Sequence, residues 1–384
     1  MNKEKKQMVA IKQLPEDFAV EEIQPKAAAH GLGGKFAYFW LAKRNLTTLE
    51  AVAELSSHFR VSQNSIGFAG TKDKKAVTTQ LVSVRWRARE TPGDKISVGN
   101  HITLQYLCQR EEPLRIGQLL GNKFRIAVRD LSVAEAVALE KKCSLLRETK
   151  TVPNYFDEQR FSKRNAAIGR ALAANNLKGA VAAIIGCEEH ELADGLCKAA
   201  ARGRHDFEAA VLQALMDNPS DFNAAIRIIP FRIKKLFMHA YQAYLFNKTA
   251  ANYLNATLGK KQLLAAKYSL GTLVFPRVAL ANRKIPIVGF ATNVNEIRDK
   301  KLAAIVGAAM KDENISPRSF IIKQLPYLSS EGGSRPLLMK IKNLNCKTSL
   351  DELNKGKKKC TLDFELGKGS YATMLVKSLL NQPM

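Results

Sequence analysis

Apolar and polar residues alternate over residues 35–41, placing Phe36, Tyr38 and Trp40 on one face of an extended strand. Runs at 76–86, 101–108 and 122–128 have the same strand character. Between them a helix is expected over 49–59, with Thr47 and Glu50 at capping-box spacing and Leu49, Val52, Leu55 and Phe59 on its apolar face. Ser132 and Glu135 form a second capping box, opening a helix that runs to about Arg147. From about Asn165 the texture changes. Alanine-rich helical patterns run through Ala174, Ile184, Ala201 and Leu215, followed by helices over 238–258 and 293–310. The latter has Asn293 and Glu296 at capping-box distance, and a short strand at 285–290 precedes it. Strand character returns near Pro336, over 337–344 and 361–366, and a helix over 370–381 closes the chain. The pattern describes a strand-rich domain that is discontinuous in sequence, 1–155 with 335–384. A mainly helical unit, 156–334, is inserted into it where chain ends lie close together.

Composition sharpens this picture. The chain has 384 residues, 46% of them hydrophobic, which suffices for two packed domains. The apolar residues never gather into a long charge-free run of membrane-span length, and the polar start MNKEKK does not read as a secretory signal. Lys and Arg total 60 against 35 Asp and Glu, a formal net charge of +25. An excess of that size attracts polyanions, nucleic acid first, because bound cations release condensed counterions. An anionic membrane surface is the rival, but neither a basic amphipathic helix nor a lipidation motif supports it. Cys108, Cys143, Cys187, Cys197, Cys346 and Cys360 form no C-x-x-C pair and no zinc spacing. They read as reduced, structural thiols of a cytoplasmic protein without a metal site, and the histidines share no ligand motif.

The segment with the most chemistry is 67–80, GFAGTKDKKAVTTQ. A strand enters a turn in which Ala69 and Gly70 admit a close neighbour, passes a Lys72-Asp73-Lys74-Lys75 cluster, and leaves as a second strand. Cations around Asp73 favour its carboxylate form, and a carboxylate held in a cleft can act as a nucleophile. By local chemistry alone a solvated charged turn is the plainer reading. A phosphate loop is excluded, because Thr71 stands where a glycine must precede the lysine. Likewise GLGGK at 31–35 does not complete a dinucleotide fingerprint, because Phe36 occupies its last position.

This segment resembles the signature of the TruD family of pseudouridine synthases. Other segments resemble that family in the same order along nearly the whole chain: KQLPEDF at 12–18 with Val20 and Glu21, Lys43-Arg44-Asn45 with Thr47-Thr48, GNKF at 121–124, PNYFDEQRF at 153–161, YLFN at 244–247 and GSYAT at 369–373. Asp157 and Ser162 depart from it, standing where many members have glycine. The middle of the insertion, about 172–223, has no clear counterpart.

The resemblance implies an α+β fold: a pseudouridine-synthase-type mixed, largely antiparallel sheet with flanking helices, plus the large, mainly helical inserted TRUD domain. It implies isomerisation of a specific tRNA uridine, at position 13 by family expectation, in a basic cleft between the domains, with no cofactor and no metal. Asp73 matches the catalytic aspartate, as nucleophile or as promoter of elimination through a glycal. Lys12 matches its ion-pair partner, and Phe124 an aromatic that stacks on the target base in place of the helix it leaves. A core phenylalanine is the rival reading for Phe124. Asn122 would offer an amide to the base or the aspartate, or fix the local turn. Lys43, Arg44, Lys72, Lys74, Lys75, Gln159 and Arg160 are the expected RNA contacts, with an acid across the domain junction as the other partner open to Arg160. The implied partner is tRNA, with neither a membrane nor a required protein partner. A silent RNA-binding or chaperone protein on the same scaffold is the main alternative, and a nuclease using Asp73 as a base is a further one.

Overall fold

A computed structural model describes residues 10–25, 34–86, 92–162, 164–190, 192 and 206–380. The MNKEKK start, Gly31 and Gly33, Cys197, the helical reading through Ala201 and the end of the last expected helix at Asn381 lie outside the described residues. In chain order the elements are β1 (Ala10–Ile11), β2 (Phe18–Ile23), β3 (Phe36–Arg44), α1 (Thr48–Phe59), β4 (Ile66–Phe68), β5 (Val77–Arg85), β6 (Lys95–Val98), β7 (Ile102–Arg110), β8 (Gly121–Leu131), α2 (Val133–Thr149) and β9 (Thr151–Pro153). There follow α3 (Glu158–Phe161), α4 (Asn165–Ala173), α5 (Leu177–Ile185), α6 (Asp206–Asp217), α7 (Phe222–Ile228), α8 (Phe231–Thr257), β10 (Leu263–Tyr268), β11 (Gly271–Pro276), β12 (Lys284–Ile287), α9 (Lys300–Asp312) and β13 (Gly333–Pro336). The chain ends with β14 (Leu338–Leu350), β15 (Lys358–Gly367) and α10 (Ala372–Leu380). It divides into two compact units, Met1–Val152 with Met339–Leu380, and Pro153–Leu338.

The first unit is built on one sheet in the order β6-β7-β3-β5-β2-β8-β15-β14-β9, with β1 added on β8 and β4 on β5. β2 runs parallel to β5 and antiparallel to β8, so the sheet is mixed and largely antiparallel. Side chains alternate across it. By register, Leu41 and Lys43 of β3, Thr78 and Gln80 of β5, Val20 of β2, and Phe124 of β8 share one face, joined by their β2 and β8 neighbours Glu22 and Asn122. On that face α1 packs Ala51, Val52 and Leu55 against Phe39, Leu41, Val82 and Val84. Further along, α2 brings Cys143 to Cys346 of β14, whose thiol lies 2.7 Å from that of Cys360 on β15. Of the candidate catalytic residues, Asn122 and Phe124 lie on β8, Asp73 on the loop between β4 and β5, and Lys12 between β1 and β2.

Both expected capping boxes form, on Thr47 with Glu50 and on Ser132 with Glu135. Leu49, expected on the apolar face of α1, is 55% exposed, and Ala51 takes the inward position. The Asn293–Glu296 signal caps only a 3-10 turn, whereas α9 begins later on Asp299, whose side chain accepts from Leu302 N–H. α8 starts well before the expected residue 238, because Arg232, Lys234 and Lys235 interrupt its apolar period. The β10–β11 hairpin was not expected in the helical unit. It turns at Gly271, where φ is +140°, a conformation that glycine alone adopts freely. Cys108, Cys143, Cys346 and Cys360 are free thiols, but Cys187 is disulfide-bonded, against the all-thiol reading. Among the described residues no helix is long and apolar enough to cross a membrane.

Of the pair expected to admit a close neighbour, Ala69 is met by another backbone, the Gly117 N–H donating to Ala69 O at 2.8 Å, and a further close approach falls at Gly67 on β4. A Cβ there would lie 2.3 Å from the Leu114 carbonyl oxygen, whereas at Gly70 it would meet only Lys72 Nζ at 3.8 Å. Gly67→Ala should therefore cost about 1–3 kcal/mol through overpacking, while Gly70→Ala stays within about 0.5 kcal/mol of wild type. Urea midpoints for the two variants check this, and equal midpoints would contradict it.

Candidate active site

Residues 69–76 leave the edge of β4 and return as β5, and several polar atoms of this loop are tied to neighbouring elements. Thr48 Oγ1, at the start of α1, accepts from Lys72 N–H at 2.8 Å and donates to Gln80 Oε1 at 2.9 Å. The Gln80 amide in turn donates to Gly70 O at 3.1 Å. Lys72 Nζ reaches across the sheet face to Glu22 Oε2 at 2.5 Å, and both side chains are buried. Lys43 Nζ donates to Asp73 O at 3.1 Å and to Leu46 O. The aspartate backbone is thus held by Lys43, and its side chain is left for a partner outside the loop.

Asp73 Oδ2 accepts from Lys12 Nζ at 2.6 Å, with Lys12 largely covered and the carboxylate partly open to solvent. Lys12 adopts a left-handed backbone with φ +67°, which a non-glycine residue takes only when its surroundings hold it there. Its ammonium also lies 3.8 Å from the centre of the Phe18 ring, a cation–π contact that adds to the ion pair. The next turn is pinned by Asp17, which accepts from Leu14 N–H and pairs with the buried Arg129. Arg129 also pairs with Asp351, so the segment carrying Lys12 is anchored to the C-terminal part of the sheet domain.

Phe124 is buried on β8, stacked on Phe364 with ring centres 5.3 Å apart and meeting Phe18 edge to face at 6.2 Å. Its aromatic cluster is therefore the one that carries Lys12. Asn122, beside Glu22 in the register, has a buried Oδ1 with no hydrogen-bond donor among the described residues. An acceptor left in that state costs about 1–3 kcal/mol, so it is a natural position for a ligand N–H.

The expected RNA contacts divide. Lys43 and Lys72 are buried and hold the loop, so neither presents its charge to solvent. This revises the sequence expectation, which could not tell a cation that braces a carboxylate from one that meets phosphate. Arg44 pairs with Glu16 and Lys74 with Glu50 at the surface, contacts weak enough for an RNA phosphate to displace. Lys75 is exposed; Gln159 and Arg160 lie on α3 in the second unit, Gln159 exposed and Arg160 partly so. Sequence reasoning missed Thr48, Gln80 and Glu22 as supports. The signal was there in Glu22, a carboxylate on the strand face that otherwise carries Phe18 and Val20. A cavity of about 1090 Å³ opens on the other sheet face near Trp40, Leu81 and Lys123, and Asp73 is not part of its lining. Among the described residues no group of three His, Cys, Asp or Glu side chains is arranged to hold a metal ion.

Substitutions at Lys72 and at Lys43 probe the support of the loop. Removing one partner of a buried ion pair strands the other charge, so Lys72→Met should cost about 3–5 kcal/mol, and the double variant with Glu22→Leu should recover much of it. A double variant no more stable than the single would refute the pairing. Burial lowers the Lys43 pKa to about 8, although the Asp73 carboxylate opposes this. The unfolded chain then holds more protons than the folded one between about pH 8 and 10.5, so this group's contribution to stability rises with pH there and is lost as pH falls through 8. Relative to Lys43→Met, wild type should gain on the order of 1–2 kcal/mol between pH 7.5 and 10, and a pH-independent difference would contradict it.

Three comparisons with known proteins agree. The family model described as tRNA pseudouridine synthase D (TruD) matches residues 2–265 and 277–379. A "Probable tRNA pseudouridine synthase D" of Thermococcus sibiricus is 29% identical, covering 96% of this chain and 94% of its own. The tRNA pseudouridine synthase D of Geobacter metallireducens is 31% identical, with coverage of 96% and 94%. The crystal structure of a TruD candidate from Methanosarcina mazei superposes with a TM-score of 0.73 at 28% identity, covering 96% of this chain and 93% of that one.

Proposed function

The chain belongs to the tRNA pseudouridine synthase D (TruD) family and is an isomerase of that kind, and we propose that it converts one tRNA uridine, at position 13, to pseudouridine with Asp73 as its nucleophile. The bond between uracil N1 and ribose C1′ breaks, and a bond from C5 to C1′ forms. The proton released from C5 is balanced by one gained at N1, so nothing is oxidised and no group leaves. The observation that carries the reading is the Lys12–Asp73 ion pair on a loop fixed by Lys43, Lys72 and Thr48. Lys12 engages Oδ2 and leaves Oδ1 as the oxygen for the reacting carbon, by direct addition or by promoting elimination to a glycal.

The base must leave its stack to reach this carboxylate. Phe124, with one ring face on Phe364, supplies an aromatic surface beside Lys12, and the vacant Asn122 Oδ1 is a ready acceptor for the uracil N3–H. Arg44, Lys74 and Lys75 remain the exposed cations near the loop that phosphates would meet.

Pseudouridine mapping on unmodified tRNA, with wild type and Asp73→Asn and no added metal, tests this. Wild type should form one new pseudouridine, and Asp73→Asn none while still binding tRNA. Product from the Asn variant would remove Asp73 from the chemistry. No product from wild type across a broad set of tRNAs would sink the substrate assignment.

A further inference from the structure

α8 is the long central helix of the second unit, and most of its surface is buried by neighbours. Phe231, Lys235 and His239, spaced by four residues, form an exposed line along its N-terminal half. Eight residues of helix span roughly 12 Å, about the reach of two to three nucleotides of extended single strand. Phe231 is 49% exposed and Tyr327 is 41% exposed, and their rings meet at 5.8 Å with a 53° tilt. Tyr327 is held in place from beneath, because the buried Lys234 donates to its hydroxyl at 2.9 Å. Lys235 Nζ lies 4.9 Å from the Phe231 ring centre.

At the other end of the line, α3 packs on α8 with Phe161 against Ala240 and Ala243, which sets Arg160 near His239. Arg160 Nε is buried and has no acceptor among the described residues. Although its ring reaches the surface, His239 has its pKa lowered by the packing around it and then by the positive charges of Arg160 and Lys235. Arg160, Arg232 and Lys235 enter no ion pair among the described residues.

Adjacent exposed aromatic rings leave apolar surface in water, and cations without carboxylates repel one another. One ligand chemistry relieves both: a polyanion that carries flat π faces. Unpaired RNA has that chemistry, since bases stack on aromatic rings without regard to sequence while phosphates meet lysine and arginine. We propose that the ridge of Phe231, Lys235 and His239, flanked by Tyr327 and Arg160, is a docking surface for an unpaired segment of the tRNA substrate. An unstacked base lies against Phe231 and Tyr327, Lys235 leaves the ring to meet a phosphate, and the partly exposed Arg160 side chain meets another. The inference rests on tRNA being the substrate but not on the role of Asp73.

Binding of an unmodified tRNA transcript, measured by fluorescence anisotropy over a series of salt concentrations, tests it alongside kcat and KM for pseudouridine formation. Phe231→Leu keeps an apolar side chain but removes the stacking face. It should weaken binding roughly fivefold or more and raise KM with kcat unchanged, while Phe231→Trp keeps wild-type affinity. Lys235→Ala should reduce the salt dependence of binding by about one counterion. Phe290→Ala, which removes an exposed ring elsewhere on the second unit, should change nothing. Affinity within about twofold of wild type for Phe231→Leu, with an unaltered salt slope for Lys235→Ala, would overturn the ridge as an RNA surface and leave a protein partner as its occupant. A wild type that binds tRNA but forms no pseudouridine would overturn the proposed reaction, and the binding arm would still decide the ridge.

Discussion

Glu22 is a carboxylate on the interior face of a central strand, and Lys72 is the group that makes this position tolerable. Two charges taken out of water lose several kcal/mol of hydration each, and an ion pair recovers that only with good geometry and further hydrogen bonds. Glu22 has both: Lys72 at 2.5 Å, with the Leu81 N–H and the Gln24 amide on its other oxygen. Because Lys72 immediately precedes Asp73, satisfying Glu22 also fixes where the next carboxylate stands. The buried pair is a weak source of net stability. It supplies position, by allowing the loop a single register over the sheet.

The same logic extends outward. β2 contributes Glu22 to one side of the loop, and the segment just before β2 contributes Lys12 to the other. Their spacing is set because β2 is clamped between β5, which it joins in parallel, and β8, which it joins antiparallel. A slip of one residue in either register would turn Glu22 to the opposite face and leave Lys72 buried without a partner. The left-handed backbone of Lys12 is strain of the kind that persists where surrounding contacts over-determine a residue. Here the contacts are the Asp73 carboxylate, the Phe18 ring and, one turn on, the Asp17–Arg129 anchor.

Much of this was legible in the sequence, and the rest was hidden for physical reasons. Alternation marked β3, β5, β7 and β8, and the capping boxes marked the starts of α1 and α2, because both signals are local. β2 was not read as a strand: its EE pair breaks the alternation, and only the tertiary pairing with Lys72 explains why. The early start of α8 was masked by Arg232, Lys234 and Lys235, since a helix that buries one lysine and exposes another has no clean apolar stripe. Asp73 and Lys12 stood out through their resemblance to family motifs, and the structure brings them together as an ion pair across 61 residues of sequence. Thr48 and Gln80 lay inside the quoted motifs, yet their coupling through one hydroxyl is a contact no spacing rule describes.

Counting charge was a better guide to the class of ligand than to its place of contact. A formal +25 points to a polyanion, and the lysines beside Asp73 were the obvious candidates to meet it. Two of the cations so chosen, Lys43 and Lys72, are buried, as are Lys12 in large part and Lys234 in the second unit. A carboxylate that must stand in a fixed place within a low-dielectric setting needs cations and donors of its own, and the nearest in sequence are the cheapest to recruit. Lys43 and Lys72, whose ammonium groups are taken up inside the Asp73 loop and the sheet, are therefore less available to phosphate than the exposed Lys74 and Lys75 beside them. Cations that enter no ion pair among the described residues, such as Lys235 and Arg160, join these as candidates for binding RNA.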